Sequence, residues 1–174
     1  MRAFITGTSG QDGFYLAHEL TERGYDVTGL YRGQDEERFA RIKAEYPSMF
    51  WERGDVTDAA SIGAIVQKHR PDIVFNLAAL SFVGNSWAMP HLYMDVNCGG
   101  FINVLEAVRQ HAPHAHIVQA STSEMFGNVG GQLHEDSPML PASPYGVSKL
   151  ASHRLCQVYR ESFGMRISSA ISFN

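Results

Sequence analysis

The sequence predicts an α/β protein, a doubly wound parallel sheet with helices on both faces, and three observations predict it. Short apolar runs alternate with helical patterns along the whole chain, as parallel strands joined by crossover helices require. The first run, Ala3-Phe4-Ile5, leads directly into the glycine-rich turn from Thr6 to Gly13. Far along the chain, Tyr145 and Lys149 stand four residues apart in a helical segment, one turn from each other on one face.

The elements follow in order. Phe14 to Leu20 forms the helix after the glycine turn, and that helix ends at Gly24. Asp26 to Tyr31 is the second strand, Gln34 to Glu45 a charged helix, and Phe50-Trp51-Glu52 a short third strand. Ser61 to His69 sets Ile62, Ile65 and Val66 on one helical stripe, which Pro71 ends. Asp72 to Ala78 is a buried fourth strand. Pro90 to Gln110 carries Phe101, Val104, Leu105 and Val108 at helical spacing, and His116 to Ala120 returns as strand five. A helix from Pro144 to Phe163 and a last strand from Met165 to Ser172 complete the pattern. The expected strand order is 3-2-1-4-5-6, with ligand at the carboxyl ends of the strands. Gly127 to Ser143 is the longest irregular stretch, and a loop of that length in a compact domain is usually functional.

Composition narrows the partners. A chain of 174 residues buries one substantial core, so residues 1–174 are expected to form one domain. Acidic residues outnumber basic ones, 18 to 14, without long runs, which argues against nucleic acid or an anionic membrane as main partner. No apolar stretch is long enough to span a bilayer, and no signal peptide precedes the first strand. Cys98 and Cys156 lie far apart without metal-ligand spacing, as free thiols in a reducing cytoplasm would. Pro113 breaks the helical face of the histidine-rich run His111 to His116, which reads as a solvated connector, and no metal site is expected.

Gly7, Gly10 and Gly13 fall in the strand–Gly-x-x-Gly-x-x-Gly–helix context of a dinucleotide site. Glycine permits the tight turn and a close backbone approach to pyrophosphate, and the helix start offers free N–H groups. Ser9, Gln11 and Asp12 belong to the same turn. An ordinary glycine-rich loop is the alternative, weakened by the motif's place directly after the first strand. Arg32 closes strand two where a carboxylate would suit a ribose 2′-hydroxyl, and a guanidinium there matches a 2′-phosphate, pointing to NADP. The alternative is a solvated surface arginine. Asp55, followed by Val56, stands against the adenine edge or caps a helix. Leu77, Ala78 and Ala79 close strand four where backbone passes beneath the cofactor. An ammonium near a phenol favours phenolate, so Lys149 is expected to lower the Tyr145 pKa and make it a general base. Tyr-x-x-x-Lys alone is common; the glycine turn gives it weight.

These motifs resemble the extended short-chain dehydrogenase/reductase superfamily, whose cofactor domain is Rossmann-like. Gly10 to Gly13, Gln119 to Gly127, Ser143 to Lys149, Tyr159 to Gly164 and Phe173-Asn174 are similar to the GDP-mannose 4,6-dehydratases within it. That resemblance implies internal redox dehydration of GDP-D-mannose to the 4-keto-6-deoxy sugar, with NADP regenerated in each cycle. By it, Tyr145 takes the C4 hydroxyl proton, Lys149 steadies the phenolate and the nicotinamide ribose, Thr122 bonds O4, and Glu124 removes the C5 proton. Ser81, Ser123 and Asn174 join these four on the substrate side. A related reductase or epimerase, or a non-catalytic NADP-binding module, are the other readings; an epimerase needs no carboxylate at Glu124, whereas Leu80, where the family has glutamine, and Asn97 favour the first. The resemblance further implies a homodimer through Pro90–Gln110 and Pro144–Phe163, with a tetramer as a possible higher state; Leu155 and Val158 line that seam or, equally, pack in the core. It also implies that the family continues past Asn174 into a smaller substrate domain, so that 1–174 is an amino-terminal portion.

Overall fold

The computed structural model describes residues 1–33 and 36–173. Gln34, the expected start of the second helix, and Asn174, an expected substrate contact, lie outside the described residues. Six strands form one parallel sheet: β1 (Arg2–Thr6), β2 (Asp26–Tyr31), β3 (Phe50–Arg53), β4 (Ile73–Asn76), β5 (His116–Thr122) and β6 (Arg166–Ser172). Their order is β3-β2-β1-β4-β5-β6, all neighbours parallel, as the alternating pattern predicts. The order reverses between β1 and β4. The two crossovers leaving these strands go to opposite faces and open a crevice there.

Helices α1 (Gln11–Glu22) and α2 (Glu36–Glu45) cover one face. Helices α3 (Ala59–His69), α4 (Pro90–Tyr93), α5 (Gly100–His111) and α6 (Pro144–Phe163) belong to the other. On that second face Phe4, Val74 and Ile117 stand in register across β1, β4 and β5 and pack against Ile62, Val66, Val104, Leu105 and Val108. Each fully buried side chain of this kind contributes ~1.5–3 kcal/mol.

The helix expected from Pro90 to Gln110 is interrupted. Met94–Gly99 is a π-helical turn between α4 and α5, and such turns frequently mark functional sites. Its Asn97 is buried and holds both backbone groups of Leu80, accepting from the N–H at 2.8 Å and donating to the carbonyl at 3.1 Å. The same amide donates to Ser148 Oγ at 3.0 Å, and Ser152 Oγ donates to the Asn97 carbonyl at 2.8 Å. The segment after β4 is thereby stapled to α6. Strand β4 also ends at Asn76 rather than Ala78, so Leu77, Ala78 and Ala79 turn off the sheet into the crevice.

Candidate functional site

The crevice is a cleft of about 740 Å³ along the carboxyl ends of the strands, from the glycine turn to Tyr145 and Lys149. Its near end is built by close packing. Gly7 has φ +75°, and a Cβ there would lie 2.7 Å from Ala78 N; a Cβ at Gly13 would lie 2.3 Å from the Gly7 carbonyl oxygen. Only glycine lets strand, turn and helix meet this tightly. Gly10 caps α1 without a side-chain hydrogen bond, leaving N–H groups of the first turn to face the cleft. Ser9, Gly10, Gln11 and Asp12 all line this end.

Past β2, Arg32 lines the cleft with its Nε 3.9 Å from Asp55 Oδ2. Asp55 Oδ1 accepts from the Thr57 N–H at 2.9 Å and its hydroxyl at 2.8 Å, and Val56 lines the wall beside it. The helix cap here is Asp58, which accepts from Ala60 N and Ser61 N at the start of α3; the capping alternative for Asp55 is therefore wrong by three residues. Arg38 also reaches this end, donating from Nη2 to the Ser9 carbonyl. Sequence reasoning missed it, although Phe39 beside it stacks on Tyr31 with centroids 3.8 Å apart and anchors the start of α2.

At the far end, β5 runs two residues longer than expected and carries Ser121 and Thr122 to the cleft wall. Thr122 Oγ1 accepts from Glu124 N at 3.3 Å and caps the short 3₁₀ turn Ser123–Met125. Glu124 projects to the cleft, while Ser123 is not on its wall. Helix α6 starts at a proline and is capped by Ser143, whose hydroxyl accepts from Gly146 N at 3.0 Å. A Cβ at Gly146 would stand 2.7 Å from the Glu124 carbonyl oxygen, so the first turn of α6 lies directly on the main chain of Glu124. Tyr145 and Glu124 meet at the cleft because of that contact. Leu77, Ala78, Ala79 and Ser81 form the floor.

Electrostatics differ from the expected phenol–ammonium pair. Lys149 is buried, and its Nζ donates to the Ala120 carbonyl oxygen at 2.5 Å. Burial lowers its pKa to about 8. Burial also pushes the Tyr145 phenol above its ordinary value; a hydrogen bond with Thr122 opposes this, and the Glu124 charge adds to it. The expected lowering of the Tyr145 pKa is therefore not observed, since desolvation outweighs the neighbours and the ammonium is held by main chain. Ser121 Oγ lies 3.0 Å from His153 Nδ1, one turn beyond Lys149 on α6.

A family model described as GDP-mannose 4,6 dehydratase matches residues 4–174. The GDP-mannose 4,6-dehydratase of Yersinia enterocolitica is 38% identical over 99% of this chain and 49% of its own length. The human GDP-mannose 4,6 dehydratase is 34% identical, with the same shares. The chain thus spans about half the length of the curated relatives it matches. Among solved structures, the UDP-glucose 4-epimerase of Thermus thermophilus in complex with NAD superposes with a TM-score of 0.87 at 31% identity, covering 97% of this chain and 54% of that one. The UDP-Glc/GlcNAc 4-epimerase of Campylobacter jejuni reaches 0.91 at 20% identity, covering 99% and 53%, a likeness of fold alone.

Proposed function

The chain belongs to the GDP-mannose 4,6-dehydratase family, and from that premise we propose that its cleft dehydrates GDP-D-mannose to GDP-4-keto-6-deoxy-D-mannose. One observation carries the reading: Thr122, Glu124, Tyr145 and Lys149 line a single cleft whose other end is the glycine turn. The residues fit a nicotinamide dinucleotide. The start of α1, without a side-chain cap, supplies N–H donors for pyrophosphate, and Leu77, Ala78 and Ala79 line the cleft with apolar side chains. Arg32, with Arg38 nearby, supplies cations for a 2′-phosphate, which favours NADP.

Held there, such a cofactor would supply reversible hydride transfer between carbons of the sugar. The chain's own residues handle the protons. Tyr145 takes the proton of the C4 hydroxyl while Thr122 bonds the same oxygen. Lys149, one turn along, turns its ammonium toward the forming phenolate and lowers the cost of that charge. The C4 ketone acidifies C5–H, which the Glu124 carboxylate removes. Glu124 then gives this proton to the departing C6 hydroxyl and water leaves; Tyr145 releases its proton to solvent and C5 takes one from solvent, which closes the cycle.

A nucleotide-sugar epimerase or reductase is the second reading, favoured by the epimerase likeness at 31% identity. Glu124 on the cleft wall speaks for the dehydratase. A homodimer through the outer faces of α5 and α6 belongs to the same proposal; of the two expected seam residues Val158 is exposed there, whereas Leu155 packs against the core. A cytoplasmic location belongs to it too, in keeping with free Cys98 and Cys156.

The test is incubation of the protein with GDP-mannose and catalytic NADP⁺ in D₂O, followed by mass spectrometry. A product lighter by one water and deuterated at C5 is expected. Glu124→Gln should slow its formation by ~10²–10⁴-fold, the usual worth of a positioned acid–base group. A product of unchanged composition would turn the assignment to an epimerase. Cofactor binding without turnover of any nucleotide sugar would favour a binding module.

A further inference from the structure

The sheet face beneath the cleft carries a row of polar side chains that the proposed chemistry leaves unused. Thr6, Asn76 and Gln119 are in register across β1, β4 and β5, and none is more than 3% exposed. Two residues earlier on the same strands and the same face stand Phe4, Val74 and Ile117 in the apolar core. Apolar side chains would therefore serve the fold at the second row as they do at the first, and a buried polar row is costly unless every member is bonded.

Every link is made. The Ala78 N–H donates to Thr6 Oγ1 at 3.2 Å, and the Thr6 hydroxyl donates to Asn76 Oδ1 at 2.7 Å. Asn76 Nδ2 donates to Gln119 Oε1 at 2.7 Å, and Gln119 Nε2 donates to the Ala120 carbonyl at 3.2 Å. Lys149 Nζ donates to that same carbonyl. The direction of the row is set at its far end, because the Ala120 carbonyl can only accept. Gln119 turns its NH₂ to that carbonyl and its oxygen to Asn76, so Asn76 turns its oxygen to the Thr6 hydroxyl, which donates. Each amide is then turned with its oxygen toward β1 and its NH₂ toward Lys149. The Ala120 carbonyl has two lone pairs, and Gln119 and Lys149 share them.

We propose that Gln119 is a positioning residue for Lys149, the last member of a Thr6–Asn76–Gln119 ladder that fixes the Ala120 carbonyl as a shared acceptor and sets the positive end of an amide beside the ammonium. The ladder weakens the hold of Ala120 on Lys149 and leaves the ammonium ready to turn toward Tyr145. It also ties the lysine to Ala78 on the cleft floor. The consequence for turnover rests on the role proposed above for Lys149; the ladder itself does not.

The lysines of the sequence are Lys43, Lys68 and Lys149, so ε-¹³C-lysine labelling gives a resolvable NMR titration without substrate or cofactor. Gln119→Met removes the competing donor and should raise the Lys149 midpoint by about half a pH unit or more. Thr6→Val, isosteric and remote from Lys149, removes the donor that holds the Asn76 oxygen, loosens the grip of both amides on the Ala120 carbonyl and should raise the midpoint in the same direction. A ladder that merely supports the sheet would lower thermal stability and leave the midpoint unmoved in both variants, overturning the proposal. A shift in Gln119→Met without one in Thr6→Val would confine the effect to Gln119 and overturn the ladder. If Gln119→Met does not fold, the Thr6→Val titration alone decides. Because no turnover is involved, either result stands whether or not the chain is a dehydratase.

Discussion

Lys149 sits where its charge is least welcome. It is 5% exposed, and burial lowers its pKa from 10.5 to about 8. The sign of the linkage follows. Between those two values the unfolded chain binds a proton that the folded chain does not, so the charge opposes folding. The penalty is full below about pH 8 and fades as pH rises toward 10.5. Lys149→Met, similar in length and uncharged, should therefore stabilise the protein at pH 7 by on the order of 1–3 kcal/mol, a gain that shrinks toward pH 10 while turnover is lost. Urea unfolding at the two pH values measures it, and a variant less stable than the parent at pH 7 would refute the account. Tyr145 shows the same tension, since burial raises its pKa and only neighbours can bring the phenolate within reach.

At the scale of elements, the contact between α6 and the turn after β5 sets the site. Alanine is normally better than glycine inside a helix by ~1 kcal/mol, yet at Gly146 a methyl group would meet the Glu124 carbonyl at 2.7 Å. Main chain cannot step aside cheaply, so Gly146→Ala should destabilise by about 1–3 kcal/mol and separate Tyr145 from Glu124. Thermal unfolding and a crystal structure of the variant check both parts; a stability gain would show the contact to be slack. The strands were legible because a sheet buried on both faces demands short apolar runs, and Ala3-Phe4-Ile5 and Ile73-Val74-Phe75 are such runs. The π turn at Met94–Gly99 was not, because the apolar spacing of α5 resumes unchanged after it. Nor was the partner of Lys149: the Ala120 carbonyl is main chain, alike in every sequence. Thr6, Asn76 and Gln119 did leave a signal that went unread, as amides and a hydroxyl at inward positions of three adjacent central strands. Arg38 left little, standing in a charged helix where a cation reads as surface.

Across the whole molecule the cleft crosses the sheet from the end of β2 to the end of β6, so a dinucleotide lying in it would touch elements from both halves of the fold. Its binding should raise the stability of the entire cooperative unit. At a ligand concentration one hundred times the dissociation constant the gain is ~2.7 kcal/mol. For a domain of this size each kcal/mol moves the thermal midpoint by ~2–4 °C, so a shift of roughly 5–11 °C is expected. On the proposed reading the choice of dinucleotide would be made at the end of the cleft that Arg32 and Arg38 line. NADPH should therefore shift the midpoint further than NADH at equal concentration, and added salt should narrow the difference, since an exposed guanidinium–phosphate pair is screened. Arg32→Asp places a carboxylate where a ribose 2′-hydroxyl would be bonded and a 2′-phosphate repelled, and should reverse the order of the two cofactors. If Arg32→Asp keeps the parent's preference, the arginine is a surface residue and cofactor choice lies elsewhere in the cleft. If neither dinucleotide moves the midpoint, the glycine turn does not hold one, and the chemistry assigned to Tyr145 and Glu124 loses its electron carrier.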